Sequence, residues 1–133
     1  TEFQIDNLII DSSFVPLEKL SSILSKADVL LVPMVKGDSI NTSLPTKILE
    51  SQAIGRPIIS CSSGAIGDYV QTTNSGINVN EGDFDGFLEA ILKLESNEQL
   101  CQEFGQNGRN FIEKNNKFKI IGNTLSSIIQ KRL

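Results

Sequence analysis

Two short apolar runs frame the chain. Residues 28–33 read Asp-Val-Leu-Leu-Val-Pro and residues 58–61 read Ile-Ile-Ser-Cys. Near-continuous apolar runs of this length are typical of strands buried on both faces of a parallel sheet. Parallel strands need a crossover between them, ordinarily a helix, and the intervening segment has the punctuation of one. Ser43 is a good N-cap, and Pro45 suits a first helical turn, where its missing N–H costs nothing. Gly55 can take the left-handed conformation that ends a helix, and Pro57 prevents its return.

The same alternation extends on either side. Residues 7–10 (Asn-Leu-Ile-Ile) read as a short strand, followed by a polar turn at Asp11-Ser12-Ser13. Pro16 opens a helix with Leu17, Leu20, Ile23 and Leu24 at helical spacing. Residues 34–41 read as a loop with a turn at Gly37-Asp38. After the second run, Ser62-Ser63-Gly64 is another strand-to-helix loop, leading to a short helix over residues 65–71 and a strand over 77–79. Gly82-Asp83 starts a helix with Phe84, Phe87, Leu88, Ile91 and Leu92 on one face. Asn97 caps the next, which carries Leu100, Phe104 and Phe111; Gly105 and Gly108 within it either argue against a helix or mark close helix packing. A last helix over about 118–132 shows Phe118, Ile121, Leu125, Ile128 and Ile129. Strands alternating with helices through residues 1–80 predict an α/β fold, a parallel sheet with helices on both faces, with a helical C-terminal tail. At 133 residues this is one domain.

Composition removes several function classes. A net charge of −4 argues against general nucleic-acid binding, which needs a basic surface. No apolar run approaches the roughly 20 residues of a membrane span. The chain has no histidine, the commonest general base and metal ligand. No Cys/Asp/Glu cluster has metal-ligand spacing, so no metal is expected. Cys61 and Cys101 lie far apart, and Cys61 reads as a small core residue instead of half a disulfide.

Open α/β sheets bind ligands at the carboxyl ends of their strands. The loops over residues 33–43 and 62–64 leave such ends and should line one crevice, with the Pro45 helix pointing its N-terminus into it. Helix N-termini favour acids, yet this first turn has none and holds Lys47, which is unfavourable unless an anion sits there. On a helical wheel Leu44, Ile48, Leu49, Gln52 and Ala53 share one face, and Thr46, Lys47, Glu50 and Ser51 the other. Lys47 and Glu50, three apart, are neighbours. A cation near the helix start with a carboxylate one turn on suits a nucleoside diphosphate: the cation and N–H groups take phosphate, the carboxylate the vicinal ribose hydroxyls. The same spacing describes a solvated face with a weak surface ion pair, and spacing alone favours that plainer reading over the other. Ser62-Ser63-Gly64 reads either as a loop that approaches a ligand or as an ordinary connection. Asp68 and Asp83 are expected at helix starts for dipole and capping reasons alone.

The ordered motifs carry a resemblance. Ala27-Asp28-Val29-Leu30-Leu31-Val32-Pro33 resembles the "ADVLLVP" strand of retaining glycosyltransferases of family 4, which have the GT-B fold. Residues 43–50, Ser-Leu-Pro-Thr-Lys-Ile-Leu-Glu, resemble their "SLPxKxxE" variant, seen in members that build bacterial surface polysaccharides. Residues 53–59 match the "AxGxPVI" continuation, Gly76 to Val79 with Asp83 looks like "GxxVxxxD", and Phe14-Val15-Pro16 with Leu20 resembles "xVPxxxL". The resemblance covers about residues 7–130. It implies a Rossmann-like C-terminal domain that binds a UDP- or GDP-sugar as substrate, with no cofactor. It further implies that Glu50 matches the second glutamate of an E-x7-E motif and holds the donor ribose. The backbone around Ser43 and Leu44 would meet the diphosphate, Lys47 would add charge there, and Phe14, Val15 and Pro16 would lie near the base. The first glutamate of the motif falls at Thr42, so sugar recognition does not carry over. Asp68 stands where many members have a glutamate after a double glycine, here only Ser63-Gly64. No catalytic residue is assigned.

The sequence beginning at Thr1 reads as a piece of a longer enzyme, inactive alone, whose N-terminal acceptor domain is absent. That domain would bring a glycan or lipid-linked acceptor and any membrane contact. A surface-glycan pathway places the protein in the cytoplasm or at the inner face of the membrane. Two other classes compete: a receiver-like regulatory or interaction module, disfavoured because Asp28 begins its strand, and a sugar-nucleotide epimerase of the same architecture.

Overall fold

The computed structural model describes residues 7–33 and 44–131. Three strands, β1 (Leu30–Pro33), β2 (Ile58–Cys61) and β3 (Gly76–Val79), form one parallel sheet in the order β1-β2-β3. The register aligns Pro33 with Cys61 and Cys61 with Val79, so all three strands end level. The crossovers are α2 (Thr46–Ile54) and α3 (Ala65–Thr73). Helix α1 (Leu17–Leu24) precedes β1, and α4 (Phe84–Glu95), α5 (Glu98–Asn115) and α6 (Phe118–Gln130) follow β3. This is the expected α/β architecture: a Rossmann-like parallel sheet flanked by helices, consistent with the C-terminal half of a GT-B fold.

Successive strand side chains point to opposite faces, which divides the core in two. On one face Val32 and Ile58 meet Ile48 of α2 and Ile66 and Val70 of α3. On the other, Ile59 and Val79 meet Ala90 and Leu94 of α4 and Phe104 of α5. Helices α2 and α5 then meet along a seam whose spacing is set by glycine. A Cβ on Gly105 would overlap the Gly55 carbonyl oxygen, and one on Gly108 would lie 2.9 Å from Gln52 Cγ. Of the two readings the sequence leaves for these glycines, the structure supports close packing. Gly55 ends α2 with φ +76°, the left-handed conformation its position requires.

Four expectations are corrected. Residues 8–10 form no strand, and Ile9 is 91% exposed. A strand needs a hydrogen-bonded neighbour, and among the described residues β1 pairs only with β2. Strand β1 is not buried on both faces: Val32 is buried, but Leu31 is 49% exposed, because α4 and α5 cover β2 and β3 and leave its side of the sheet open. The inward face of α4 is Phe87, Ala90, Ile91 and Leu94; Phe84, Leu88 and Leu92 point outward, since the small Ala90 lets the helix approach the sheet on its own side. Finally, Ser51 is not solvated on the outer face of α2 but buried. Its hydroxyl donates to the Lys47 carbonyl at 2.7 Å, so burial leaves nothing unpaired.

Candidate functional site at the carboxyl end of the sheet

The chain leaves β1 at Pro33 and returns at Leu44. Thr42 and Ser43 lie outside the described residues. Leu44 is half-buried against the Val32–Ile48–Ile58 cluster and anchors the approach to α2. The cap of α2 differs from expectation: Pro45 occupies the N-cap position with extended ψ 140°, and Thr46 begins the helix. Proline's fixed φ of −65° is compatible with the extended cap conformation, which turns its carbonyl to accept the Ile48 N–H at 3.1 Å. The first turn has no acid and no side-chain cap. Helix α3 also starts without a side-chain cap, on Gly64 at φ +83°, a backbone conformation reserved to glycine. By contrast the Asp83 carboxylate accepts the Gly86 N–H at 2.9 Å at the start of α4, and Asn97 does the same for Leu100 in α5. Asp83 is therefore the cap its position predicts. Among the described residues, the two crossover helices thus reach the carboxyl end of the sheet with no side-chain bond from their N-cap residues.

Lys47 is exposed on that first turn and Glu50 is half-buried one turn on. They form no ion pair; among the described residues the ion pair is Arg109–Glu113. Glu50 instead borders a cleft of about 180 Å³ between α1 and α2, lined by Leu17, Leu20, Leu24, Ala53 and Ile54. Helix α1 is opened by Pro16, so the structure brings Glu50 to the helix that follows Phe14, Val15 and Pro16. Val15 and Pro16 are half-buried, and Phe14 is 90% exposed. The polar turn ahead of them is closed by the Ser13 N–H on Asp11 Oδ1 at 2.9 Å. Bonds from Ser13 hold the Asp11 carboxyl below its ordinary pKa.

Sequence reasoning placed Gln52 on an apolar face without a role. It is fully buried and fully engaged. Its Nε2 donates to Thr73 Oγ1 at 3.0 Å and to Ser75 Oγ at 2.9 Å, and its Oε1 accepts from the Tyr69 hydroxyl at 3.1 Å. Tyr69 then meets Phe111 of α5 edge to face, with ring centroids 5.6 Å apart. Burial pushes the Tyr69 phenol above its ordinary value. A glutamine midway along an apolar helical stripe was the available signal, because a buried amide must find partners. The clasp fixes α2, and with it Lys47 and Glu50, against α3, β3 and α5.

A larger cavity lies elsewhere. A groove of about 730 Å³ opens at the amino ends of the strands, lined among others by Asp28, Leu31, Arg56, Ile59, Glu98 and Cys101. Burial, then the Asp28 and Glu98 carboxylates, push the Cys101 thiol up. The groove is the open side of β1 already described, at the opposite end of the sheet from the N-termini of α2 and α3. Cys61 and Cys101 are both free. Among the described residues no helix is long and apolar enough to cross a membrane.

Comparison with known proteins agrees with this architecture. The chain is 26% identical over 133 residues to the Escherichia coli K12 protein named "Putative colanic acid biosynthesis glycosyltransferase WcaL", covering 97% of this chain and 32% of that one. It is 28% identical over 86 residues to the amylovoran biosynthesis glycosyltransferase AmsK of Erwinia amylovora, covering 64% of this chain and 21% of the relative. It is 37% identical over 81 residues to the capsular polysaccharide biosynthesis glycosyltransferase CapM of Staphylococcus aureus, covering 60% and 21%. The chain thus spans a third or less of the length of these relatives. Residues 3–111 match the family described as Glycosyl transferases group 1, and the chain belongs to that family.

Proposed function

We propose that this chain binds the nucleotide-sugar donor of a retaining glycosyltransferase that builds a surface polysaccharide. The observation that carries the reading is Glu50: a half-buried residue bordering a cleft against α1, one turn from a helix start that bears Lys47 and no acid. In this reading the α2 amides and Lys47 take the diphosphate, Glu50 accepts hydrogen bonds from the ribose hydroxyls, and the stretch Phe14 to Pro16 flanks the base. Thr42 and Ser43 belong to the same approach. The leaving diphosphate gains charge as the glycosidic bond breaks, and donors aimed at it supply electrostatic stabilisation. The donor is UDP- or GDP-linked, and no cofactor takes part. The acceptor, a glycan or lipid-linked sugar, binds to the part of the enzyme that this chain does not span, in the cytoplasm or at the inner face of the membrane. The polysaccharide pathways named for the relatives support that choice.

Titration with UDP and GDP, followed by backbone amide shifts, tests the reading. One nucleotide should perturb residues 44–50, and Glu50→Ala should weaken its binding about tenfold or more, as expected for lost hydrogen bonds to a charged group. Unchanged affinity in Glu50→Ala would remove the role given to Glu50.

A further inference from the structure

Helix α2 carries Glu50 and Gln52 on opposite sides, about 200° apart at the helical step. Glu50 borders the α1 cleft, and Gln52 is wholly buried on the other side. Both amide donors and the amide oxygen of Gln52 are used in its clasp with Thr73, Ser75 and Tyr69. The clasp closes on itself. The Thr73 and Ser75 hydroxyls lie 2.8 Å apart, and the Thr73 hydroxyl donates to the Tyr69 carbonyl at 2.8 Å. The remaining contacts beneath α2 have little direction. Ile48 makes apolar contact, and Gly105 and Gly108 bring α5 close without offering a side-chain ridge to key against. Such a bed fixes the height of the helix and leaves its roll to the clasp. A side-chain tip stands about 5 Å from a helix axis, half the overall diameter, so a roll of about 12° carries it about 1 Å. That is enough to break a hydrogen bond. The backbone N–H groups of the first turn lie nearer the axis and move less than half as far. The Lys47 stem can follow them.

We propose that Gln52 is a positioning residue for the nucleotide-sugar donor: its clasp with Tyr69, Thr73 and Ser75 sets the roll of α2, and so the place of Glu50 against the ribose. Gln52 touches no ligand and acts through Glu50. The inference rests on the donor-binding reading and deepens it.

Titration of the chain and its variants with UDP and GDP, well below the melting transition, tests the proposal. Gln52→Met keeps the side-chain length and removes all three bonds, and nucleotide affinity should fall about fivefold. Tyr69→Phe keeps the ring against Phe111 and removes one bond. It should cost about twofold, and it reads the same role if Gln52→Met does not fold. Ile59→Val changes the core on the opposite face of the sheet. It should lower the melting temperature and leave affinity unchanged, which a role through general stability would not allow. In the Glu50→Ala background, Gln52→Met should weaken binding by less than about twofold more, because its effect runs through Glu50. Binding of neither nucleotide, or affinity unmoved by Glu50→Ala, would overturn the donor reading and this inference with it. A loss in Glu50→Ala with none in Gln52→Met and Tyr69→Phe would overturn this inference alone. So would losses that simply multiply in the double variant.

Discussion

Helices α2 and α6 invert what hydrophobicity alone would dictate. Helix α6 has six large apolar residues in thirteen positions and buries none of them. Helix α2 buries Ile48, Ser51 and Gln52, two of the three polar. What separates them is the neighbour. Helix α2 lies against α5 at a spacing that Gly105 and Gly108 permit, and each polar atom it buries has a partner. Helix α6 has an apolar face of the right period and, among the described residues, nothing laid over it. Burial follows from shape and hydrogen-bond completion across a seam, and an apolar stripe is only a request for a partner.

The largest effect should come from the seam's backbone contact. Gly105→Ala places a methyl on the Gly55 carbonyl oxygen, which cannot rotate aside. Overpacking of this kind should cost about 3 kcal/mol in urea unfolding. A loss below about 1 kcal/mol would show that α2 and α5 separate freely and that the contrast with α6 is overstated. Next in size is Gln52→Ala. It leaves a cavity and strips the Tyr69 hydroxyl of its acceptor, and about 2 kcal/mol should be lost. If the pair Gln52→Ala and Tyr69→Phe lose the sum of their separate effects, the clasp is not one cooperative unit.

This contrast also explains how far the sequence could be read. The strands from residue 30 onward, the crossover helices, the Gly55 stop and the caps Asp83 and Asn97 rest on local chemistry, and they were legible. Three misreadings concern neighbours. The apolar residues 8–10 have strand composition, but pairing decides. Leu31 belongs to a run that looks doubly buried, but one side is open. The wheel of α4 offers two overlapping stripes, 84-88-92 and 87-91-94, and the sheet selects the second. Within the candidate site, Lys47 on the first turn and Glu50 one turn on follow from spacing. The Pro45 cap depends on how the chain arrives from β1, which no local pattern encodes. The Gln52 clasp joins residues 21 and 23 positions away in sequence, beyond any periodicity window.

Tyr69 gives a smaller and cleaner measurement, because it is the chain's one tyrosine and there is no tryptophan. Ultraviolet titration should place its ionisation above the ordinary 10.0. The folded state thus holds the phenolic proton more tightly than the unfolded chain. That contribution is complete below pH 10 and is lost as pH rises from the unfolded value through the folded one. Tyr69→Phe should cost about 1 kcal/mol at neutral pH through the lost bond to Gln52, and should flatten the alkaline fall in stability. A midpoint at or below 10.0 would mean that the ring is solvated and the seam looser than its geometry.

The smallest effect is expected on α6, and it tests the other half of the comparison. Leu125 is 57% exposed in the middle of the stripe. Leu125→Ala removes little buried area, and alanine is the better helix former, so unfolding should change by less than about 0.5 kcal/mol. The same substitution at a buried leucine such as Leu94, 2% exposed, should cost about 3 kcal/mol. Parity between the two would mean that α6 packs on the body of the domain as α4 does. A wide gap would mean that the most regularly amphipathic helix of the chain adds almost nothing to the stability of the fold, so its stripe of large apolar residues must answer to something other than the core.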